Sequence, residues 1–521
     1  MGAAEIGRDD GLPAEPLNAV ICPYREREIT LAAAPDFALP DLSGVSQALV
    51  PRALERFEFL AVYYDARDLR LARSGVTLRH RSDEGWTLTL PVSDPPDGSL
   101  LVRRAYRTGG APGAPPDALL ARARAWLRHE PAVPVARLHT VRERVRLVDT
   151  AGAVVAEVVS DQVAAHALRG GATTPFREVK VALRSPAAQR DVGDRLEARL
   201  RTAGAVSAPP IPTLARALGL LTSPPDVQVE PGDASAAEAV RSAIARSVHR
   251  FLLHDPGLVG DENPEDVHQA RVALRRLRSD LRTFAPLLDP EPTARLRGEA
   301  GWFGSLLGGV RDADVMAARL RRGAAARPAS DQAALESLLA RLEAERRVAR
   351  SALLAGRGED RFLDLVDALV AAAAASPPTP AAAAPAHEVL PRLVRRRWRR
   401  VRRAQAAISE HPTDAELHRL RIQAKRLRYA AEAAASVGGG RTRRLARAAA
   451  ALQDVLGEHQ DAVVLEAWLR TCAAAGPAPV TLVADELLVS ERERAARMRE
   501  EWPAAWRRLA RRGAAWRRAG H

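Results

Sequence analysis

The sequence contains few of the residues that build disulfide frameworks, aromatic cores or membrane spans. Its 521 residues include two cysteines, Cys22 and Cys472, whose separation fits no disulfide framework and no metal-ligand spacing. Aromatic residues make up only 4% of the chain, so its cores must consist mainly of Leu, Val and Ala. No apolar run reaches the length of a membrane span, and the polar N-terminus is unlike a signal peptide. These absences predict a cytoplasmic protein that does not insert into membranes.

Lysine is also nearly absent, although the chain is strongly basic. Lys180 and Lys425 are the only lysines, yet Lys and Arg number 78 against 64 Asp and Glu, which gives a formal net charge of +14. Such a charge attracts polyanions, including nucleic acid, anionic lipid and polyphosphate. A GC-rich coding bias would also favour arginine anywhere on the surface. The placement of the arginines must therefore decide between a binding site and a general surface charge.

Two regions of different secondary structure follow one another along the chain. Up to about Leu221, period-two alternation and glycine-rich turns predict strands, with helices at residues 116–128 and 185–203. This pattern indicates an α+β or barrel-like domain. Residues 222–235 have the composition of a linker, and the Ala/Leu/Arg-rich remainder predicts an all-α domain of roughly ten helices. The predicted strands include residues 61–65, 76–81, 86–90, 141–148, 154–159 and 176–183.

An internal repeat organises the helical region. Residues 267–278 recur as residues 417–428, and a second pair of related segments follows them, at 307–315 and 456–464. The separation is almost the same for both pairs, which chance matching within an arginine-rich sequence would rarely produce. The repeat therefore predicts two related helical bundles.

Each copy of the repeat places a histidine and several cations on one stripe of a helix, because positions i, i+3, i+7 and i+10 share a face. Like charges at this spacing repel each other by roughly a few tenths of a kcal/mol per pair, and an anion along the stripe would offset that repulsion. Guanidinium groups suit this task because they donate two hydrogen bonds to phosphate oxygens. The stripes are His268, Arg271, Arg275 and Arg278, continued by Arg282, and His418, Arg421, Lys425 and Arg428.

Several features of the helical region have a second interpretation. A single stripe is also consistent with a solvated arginine face, and only its duplication favours binding. Asp312 and Asp314, next to Arg311, either orient stripe arginines or cap a helix. The basic segment 392–403 either extends an anion-binding surface or carries charges that meet acidic neighbours. Glu432 occupies the position equivalent to Arg282, so the two copies are not identical.

The two His-x-x-Arg stripes, each followed by Arg-Leu-Arg, resemble those of the CHAD family of helical domains. The resemblance extends over residues 236–515 and includes both later Gly/Asp segments. It implies two pseudo-symmetric four-helix bundles whose basic central surface binds inorganic polyphosphate through the stripe residues. Because the family is not thought of as catalytic, the resemblance implies binding without a required cofactor. It also suggests an association with polyphosphate granules.

The N-terminal region, residues 20–221, resembles a CYTH domain, the triphosphate tunnel fold. The matching segments are Glu26-Arg-Glu28, Tyr63-Tyr-Asp65, Leu69–Arg73, Gly75–Arg81 and the pair Glu157 and Asp161. The resemblance implies an antiparallel eight-stranded barrel whose lumen holds triphosphate and a divalent metal. It makes Glu26 and Glu28 candidate ligands for Mg²⁺ or Mn²⁺, and it makes arginines triphosphate-binding candidates. These arginines are Arg79, Arg81, Arg103 and Arg142.

Three positions depart from the CYTH pattern. Thr30 and Thr89 stand where the family has lysines, and Lys180 stands on the closing strand where a carboxylate metal ligand is expected. These changes remove phosphate contacts and add repulsion toward a metal, so we expect this domain to be inactive. The alternative is a metal-dependent triphosphatase, or a nucleotide cyclase, that uses Glu26 and Glu28.

A nucleic-acid partner is the third hypothesis. The stripes lack aromatic residues on which bases stack, and the chain contains no helix-turn-helix or zinc-finger signature. Binding through the nucleic-acid backbone alone would still be compatible with the arginines. Inorganic polyphosphate is therefore the predicted partner, and the sequence indicates no particular oligomeric state.

Overall fold

A computed structural model describes residues 27–93, 102–168, 175–184, 191–208, 212–220, 225–230, 232, 234–260, 263–324, 327–375 and 378–518. The chain forms two compact units, which divide between Asp226 and Val227. The first unit contains a sheet, and the second is built from helices.

The first unit is built on one antiparallel sheet. Its strands are β1 (Arg27–Ala33), β2 (Val50–Pro51), β3 (Glu55–Asp65), β4 (Thr77–Arg81), β5 (Gly85–Ser93), β6 (Val102–Thr108), β7 (Val133–Val148), β8 (Val154–Ala167), β9 (Phe176–Leu183) and β10 (Val206–Ser207). They follow the order β10-β1-β9-β8-β7-β3-β4-β5-β6, and β2 pairs with β7. The helices of this unit are α1 (Arg70–Arg73), α2 (Asp117–Leu127), α3 (Asp191–Thr202) and α4 (Thr213–Ala217).

The antiparallel sheet confirms the predicted fold class, but it differs from the expected eight-stranded barrel. The described residues form ten strands, because β2 and β10 are short additional strands of two residues each. Within the described part of the chain the strand order ends at β6 and β10, and no pairing closes the sheet between them. A hairpin joins β7 to β8, and its Gly152 has a φ of 84°, a left-handed conformation that favours glycine.

The two faces of the sheet differ because successive side chains on a strand point to opposite sides. On one face, Val158 of β8 is buried in an apolar cluster with Leu196 of α3. On the other face, Leu138 of β7 packs with Leu214 of α4, and charged residues occupy the strand positions beyond them. Helix α4 therefore covers part of the face that carries the charged residues.

The second unit is helical over the residues described. Within α12, Gly439 has a φ of 58°, and two helical segments meet there at a kink. In the described residues, none of the helices combines the length and hydropathy that a membrane crossing needs. The helices are α5 (Ala236–His254), α6 (Pro264–Thr283), α7 (Pro290–Ala324), α8 (Gln332–Gly358), α9 (Asp360–Ala374), α10 (Ala386–Ala406), α11 (Asp414–Ala433), α12 (Ala435–Ala475) and α13 (Ala478–Arg518).

The helices confirm the predicted repeat. In α5–α8 and in α10–α13 each helix packs against the next, and α9 is an extra helix that packs on α5 and α7. Equivalent side chains cap α6 and α11, the two helices that carry the basic stripes. Asn263 accepts a hydrogen bond from the backbone N–H of Glu265, and Thr413 accepts one from the backbone N–H of Glu416. A β-bridge between residues 235 and 385 joins the chain just before α5 to the chain just before α10.

The two repeats share one hydrophobic core. Leu320 of α7 and Leu338 of α8 are buried with Leu469 of α12 and Val483 of α13. Because both repeats contribute to this cluster, their relative orientation is fixed by apolar packing. That packing also determines how α6 and α11, which contact each other directly, are aligned.

A buried ion pair joins the end of α8 to the residue that follows α5. Arg357 donates from Nε to Asp255 Oδ1 at 3.0 Å and from Nη2 to Oδ2 at 2.6 Å, and both side chains are buried. We expect Asp255→Ala to lower the free energy of unfolding by about 3–5 kcal/mol, because it leaves a buried guanidinium without its partner. Urea unfolding followed by circular dichroism measures this change. The double variant Asp255→Ala/Arg357→Met should recover much of the loss, and an unchanged transition in Asp255→Ala would contradict the expectation.

Candidate anion-binding site

The contact between α6 and α11 brings the two basic stripes together. The charges of Arg271 and Arg275 on α6 act on both Arg421 and Lys425 on α11. These four residues, Arg271, Arg275, Arg421 and Lys425, form what we call the central cluster. The sequence placed them on two separate helices, and the structure makes them one group of cations.

Lys425 experiences this concentration of charge most strongly. Burial and the neighbouring Arg275 and Arg421 lower the pKa of the Lys425 ammonium from 10.5 to about 7. The charged groups that act most strongly on Lys425 are all arginines. The central cluster therefore holds positive charge that is not balanced at Lys425, and a bound anion would relieve the repulsion.

Two cluster arginines contact the adjacent helices at glycine positions. A Cβ atom at Gly308 of α7 would lie 3.7 Å from Cζ of Arg271, and a Cβ atom at Gly457 of α12 would lie 3.7 Å from Nε of Arg421. The two glycines occupy equivalent positions in the second pair of repeated segments. Each cluster arginine therefore packs at the same place in its repeat, at van der Waals distance from the neighbouring helix.

Aspartates next to these glycines orient cationic side chains. Arg271 Nη1 donates to Asp312 Oδ1 at 2.6 Å, and the charge of Asp461 favours the protonated form of Arg421. Asp314 accepts instead from Arg346 Nε at 2.7 Å. Asp312 and Asp314 lie in the interior of α7, so the proposal that these aspartates cap a helix is wrong.

The two histidines lie near the N-terminal ends of the stripe helices. Burial and the charge of Arg311 lower the pKa of His268, so this imidazole is predominantly neutral at neutral pH. His418 donates from Nδ1 to Gln460 Oε1 at 2.6 Å, which fixes the orientation of its ring. A neutral His268 still offers one N–H donor to a phosphate oxygen, whereas the Nδ1–H of His418 is already used by Gln460.

At the C-terminal ends of the stripe helices the two copies differ. Arg428 donates from Nε to Glu432 Oε1 at 2.7 Å, so this predicted binding residue has an internal partner. Within the described residues Arg278 and Arg282 form no ion pair with a carboxylate, and the charge of Arg278 acts on Arg282. The second stripe is therefore partly neutralised at the end where the first remains basic.

Three arginines outside the predicted stripes also lie near this surface, two of them in the basic segment 392–403 that the sequence offered as a possible extension. The charges of Arg400 and Arg426 act on Arg397, together with that of Arg282. Arg426 aligns with Arg276 in the repeat but lies off the helical stripe, and Arg397 and Arg400 belong to the basic segment of α10. The density of arginine in that segment was visible in the sequence, but the orientation of α10 was not.

The charged face of the first unit has its cations and carboxylates paired with one another. Arg142 donates from Nε and Nη2 to the two oxygens of Asp161, both at 2.7 Å. The Nη2 atom of Arg81 lies 2.6 Å from Asp83 Oδ2, and the Nη2 atom of Arg79 lies 3.7 Å from Glu84 Oε2. The predicted triphosphate-binding arginines among the described side chains are thus already engaged by acidic groups.

The same face does not offer a divalent metal a free set of described carboxylates. Glu178 is fully buried and lies 2.6 Å from Lys180 Nζ, and it also accepts from Thr213 of α4 at 2.7 Å. Among the described residues, no group of three or more acidic, histidine or cysteine residues is arranged to hold a metal. Divalent metal ions such as Mg²⁺ need several oxygen ligands that are free to coordinate them. Glu178 and Asp161 instead form ion pairs with the side chains of Lys180 and Arg142.

Three of the residues proposed for this face fall where side chains are not described. Glu26 lies outside the described residues. Glu28 and Arg103 are placed by the strand backbone alone, Glu28 opposite Ala182 and Arg103 opposite Pro91. The structure therefore places two of these three residues by register only.

Comparisons with known proteins match both units. The CHAD domain model matches residues 242–470, and the CYTH domain model matches residues 30–207. Two Mycobacterium tuberculosis proteins described as uncharacterized, MT2285 and Rv2226, are each 32% identical to this chain over 505 residues, covering 90% of this chain and 93% of theirs.

Two solved structures are also similar. PptA from Streptomyces chartreusis is 24% identical, with a TM-score of 0.43, and the match covers 53% of this chain and 99% of PptA. The CHAD domain from the plant Ricinus communis is 26% identical, with a TM-score of 0.45, and the match covers 55% of this chain and 95% of that domain.

The lowered pKa of Lys425 predicts that anion binding takes up a proton. A polyanion at the central cluster stabilises the charged ammonium and raises its pKa, so affinity should fall as pH rises from 7 to 9. Calorimetric titration with polyphosphate at pH 8, in two buffers of different ionisation enthalpy, measures the uptake. We expect it to approach one proton in the wild type and to disappear in Lys425→Arg, because arginine stays charged. Equal uptake in both proteins would contradict the assignment.

Proposed function

The chain belongs to the family of proteins that join a CYTH domain to a CHAD domain, and on this basis we propose that its helical unit binds inorganic polyphosphate on the surface formed by α6 and α11. The observation that carries the proposal is the central cluster, in which cations from both repeats converge around Lys425. Binding requires no metal or other cofactor, because the protein supplies the positive charge.

The chemistry of the cluster suits a phosphate chain. Polyphosphate carries negative charge on every unit, so its best partner is a line of cations and not a single deep pocket. Arg271 and Arg421 are held against glycines of the neighbouring helices, and Asp312 fixes the direction of Arg271. Arginines that are already oriented lose less freedom when they bind a phosphate oxygen.

A nucleic-acid partner finds less support in the same surface. Binding of single strands normally uses exposed aromatic rings on which bases stack. Tyr429, the aromatic residue of α11, is buried and lies beside the guanidinium groups of Arg276 and Arg428. Nucleic acid would therefore have only backbone contacts, which carry no preference for bases.

The first unit serves, in our proposal, as a structural or auxiliary domain without hydrolytic activity. The pairing of Lys180 with Glu178 and of Arg142 with Asp161 supports this proposal, because each carboxylate already has a cation as its partner. Lys180 was expected to repel a metal, and its ion pair with Glu178 also gives it a place in the packing of this face. The alternative function is a metal-dependent triphosphatase that uses Glu26 and Glu28.

The proposed function predicts the effect of removing the central arginines. We expect the variant Arg271→Ala/Arg275→Ala/Arg421→Ala to lose on the order of a hundredfold or more in affinity for long-chain polyphosphate, since hydrogen bonds to charged groups contribute about 1.5–3 kcal/mol each. Competition between polyphosphate and duplex DNA, at equal phosphate concentration and near-physiological salt, measures affinity and preference together.

A control variant removes the same charge from exposed arginines elsewhere, at Arg321, Arg322 and Arg347. It should retain nearly the full affinity, because these residues lie outside the central cluster. Equal losses of polyphosphate affinity in the two triple variants, or a preference of the wild type for DNA, would contradict the proposal. Either result would show that the arginines provide only a diffuse positive electrostatic field.

The absence of hydrolysis is tested separately. We expect no Mg²⁺- or Mn²⁺-dependent release of phosphate from tripolyphosphate by the full-length chain, because the described carboxylates of the sheet are paired with cations. Colorimetric phosphate detection measures turnover, with Glu28→Ala as the control for contaminating activity. Turnover in the wild type that disappears in Glu28→Ala would establish the triphosphatase alternative.

A further inference from the structure

The aspartates beside two of the cluster arginines are paired differently. Asp312 and Asp461 are equivalent, since each follows the leucine that begins its repeated segment by five residues. Asp312 accepts a hydrogen bond from Arg271 at 2.6 Å. Within the described residues neither Asp461 nor Arg421 forms an ion pair, and Arg421 Nε is buried without a hydrogen-bond partner. One cluster arginine is thus paired with its aspartate, and its counterpart is not.

Arg319 of α7 binds two acids of the other repeat. Its Nη1 atom donates to Glu458 Oε1 of α12 at 2.8 Å, and its Nη2 atom donates to Glu491 Oε2 of α13 at 2.6 Å. The equivalent residue of the second repeat is Trp468, whose neutral indole donates from Nε1 to Glu345 of α8. The sequence therefore provides this cation in only one of the two copies.

The contact with Glu458 brings Arg319 close to the aspartate of the second copy. Glu458 directly follows Gly457, the glycine at which Arg421 contacts α12. It also precedes Asp461 by three residues, so the two acids share one face of the helix. Accordingly, the charges of Arg421 and Arg319 both act on Asp461 and oppose the increase in its pKa that burial causes. The charge of Asp461 is thus shared between an arginine of the central cluster and an arginine outside it.

Arg319 is too deeply buried to contact a ligand itself. The residue is only 4% exposed, and both of its Nη atoms donate to carboxylates. Arg494 of α13 reaches the same acids, with Nη1 3.5 Å from Glu458 and Nε 3.7 Å from Glu491. Glu458 and Glu491 are therefore neutralised within the fold. Because Arg319 is buried, dissolved salt screens its charge only weakly.

We propose that Arg319 is a positioning residue of the anion-binding site, which holds the acids of α12 and α13 so that Arg421 stays free to bind phosphate. The inference rests on the proposed function and assigns different tasks to two equivalent residues. Arg421 meets phosphate without giving up a partner, whereas Arg271 must share or exchange Asp312. Without Arg319, the second copy would form the arginine–aspartate pair of the first, and the central cluster would lose one available cation.

The test measures the affinity of the full-length chain for long-chain polyphosphate at several salt concentrations. We expect Arg319→Met to lose roughly five- to tenfold in affinity, and the slope of log affinity against log salt to fall by about one, as one fewer phosphate is neutralised. The variant Arg319→Met/Glu491→Met should behave alike, and it also removes the buried acid that the single variant leaves unpaired. A purely structural role would lower thermal stability but leave that slope unchanged.

Two combined variants show whether Arg319 acts through Arg421 and Asp461. In an Arg421→Ala background, Arg319→Met should cost less than about twofold in affinity, because the effects of coupled residues do not add. Asp461→Asn, added to Arg319→Met, should restore most of the lost affinity, because it removes the charge that competes for Arg421. The control Arg327→Met removes another ion pair between the repeats, with Glu486, and should change neither the affinity nor the slope.

Unchanged affinity in both Arg319 variants, or in Arg421→Ala, would overturn the inference. A loss that persists in the Arg421→Ala background, or that Asp461→Asn does not relieve, would overturn it as well, because Arg319 would then act only on the packing of the repeats. The proposed function is judged separately, by the triple variant of the central cluster. If that variant loses affinity, the proposed function stands whatever the Arg319 variants do. If it retains the full affinity, the proposed function itself fails.

Discussion

The contact between α6 and α11 is the constraint on which the rest of the helical unit depends. It places like charges side by side, which no isolated pair of helices would favour. The contact is maintained because the two repeats share an apolar core that includes Leu320, Leu338 and Leu469. Hydrophobic packing therefore holds together a group of cations that would otherwise separate, and the stored repulsion becomes available to a bound anion.

The two units manage arginine in different ways. In the sheet unit, carboxylates such as Asp161 and Glu178 accompany the cations, so the charges are neutralised within the fold. In the helical unit, Lys425 and Arg397 are surrounded by further cations, although other arginines, such as Arg357, pair with carboxylates. Arginine thus forms structural ion pairs in both units and leaves unbalanced charge in the helical unit, which is why total charge alone says little about binding.

Much of this arrangement could be predicted from the sequence, and the limits have physical reasons. The repeat and the 3.6-residue periodicity predicted both stripes and two bundles, because these depend on spacing within one helix. The merging of the stripes and the position of Arg397 depend on contacts between helices, which periodicity does not encode. The sheet differs from the expected eight-stranded barrel by the two-residue strands β2 and β10, which leave no alternation pattern, and by the lack of pairing between β6 and β10 in the described residues. The pairing of Lys180 with Glu178 required the position of α4.

The packing of Arg271 and Arg421 against α7 and α12 has a consequence for the dynamics of the site. A free arginine side chain samples many rotamers, and immobilising it costs about 2 kcal/mol of conformational entropy. Where the guanidinium contacts the neighbouring helix at a glycine and, for Arg271, donates to Asp312, part of that freedom is lost during folding and not during binding. These contacts therefore shift part of an entropic penalty from the encounter with the ligand to the formation of the native state.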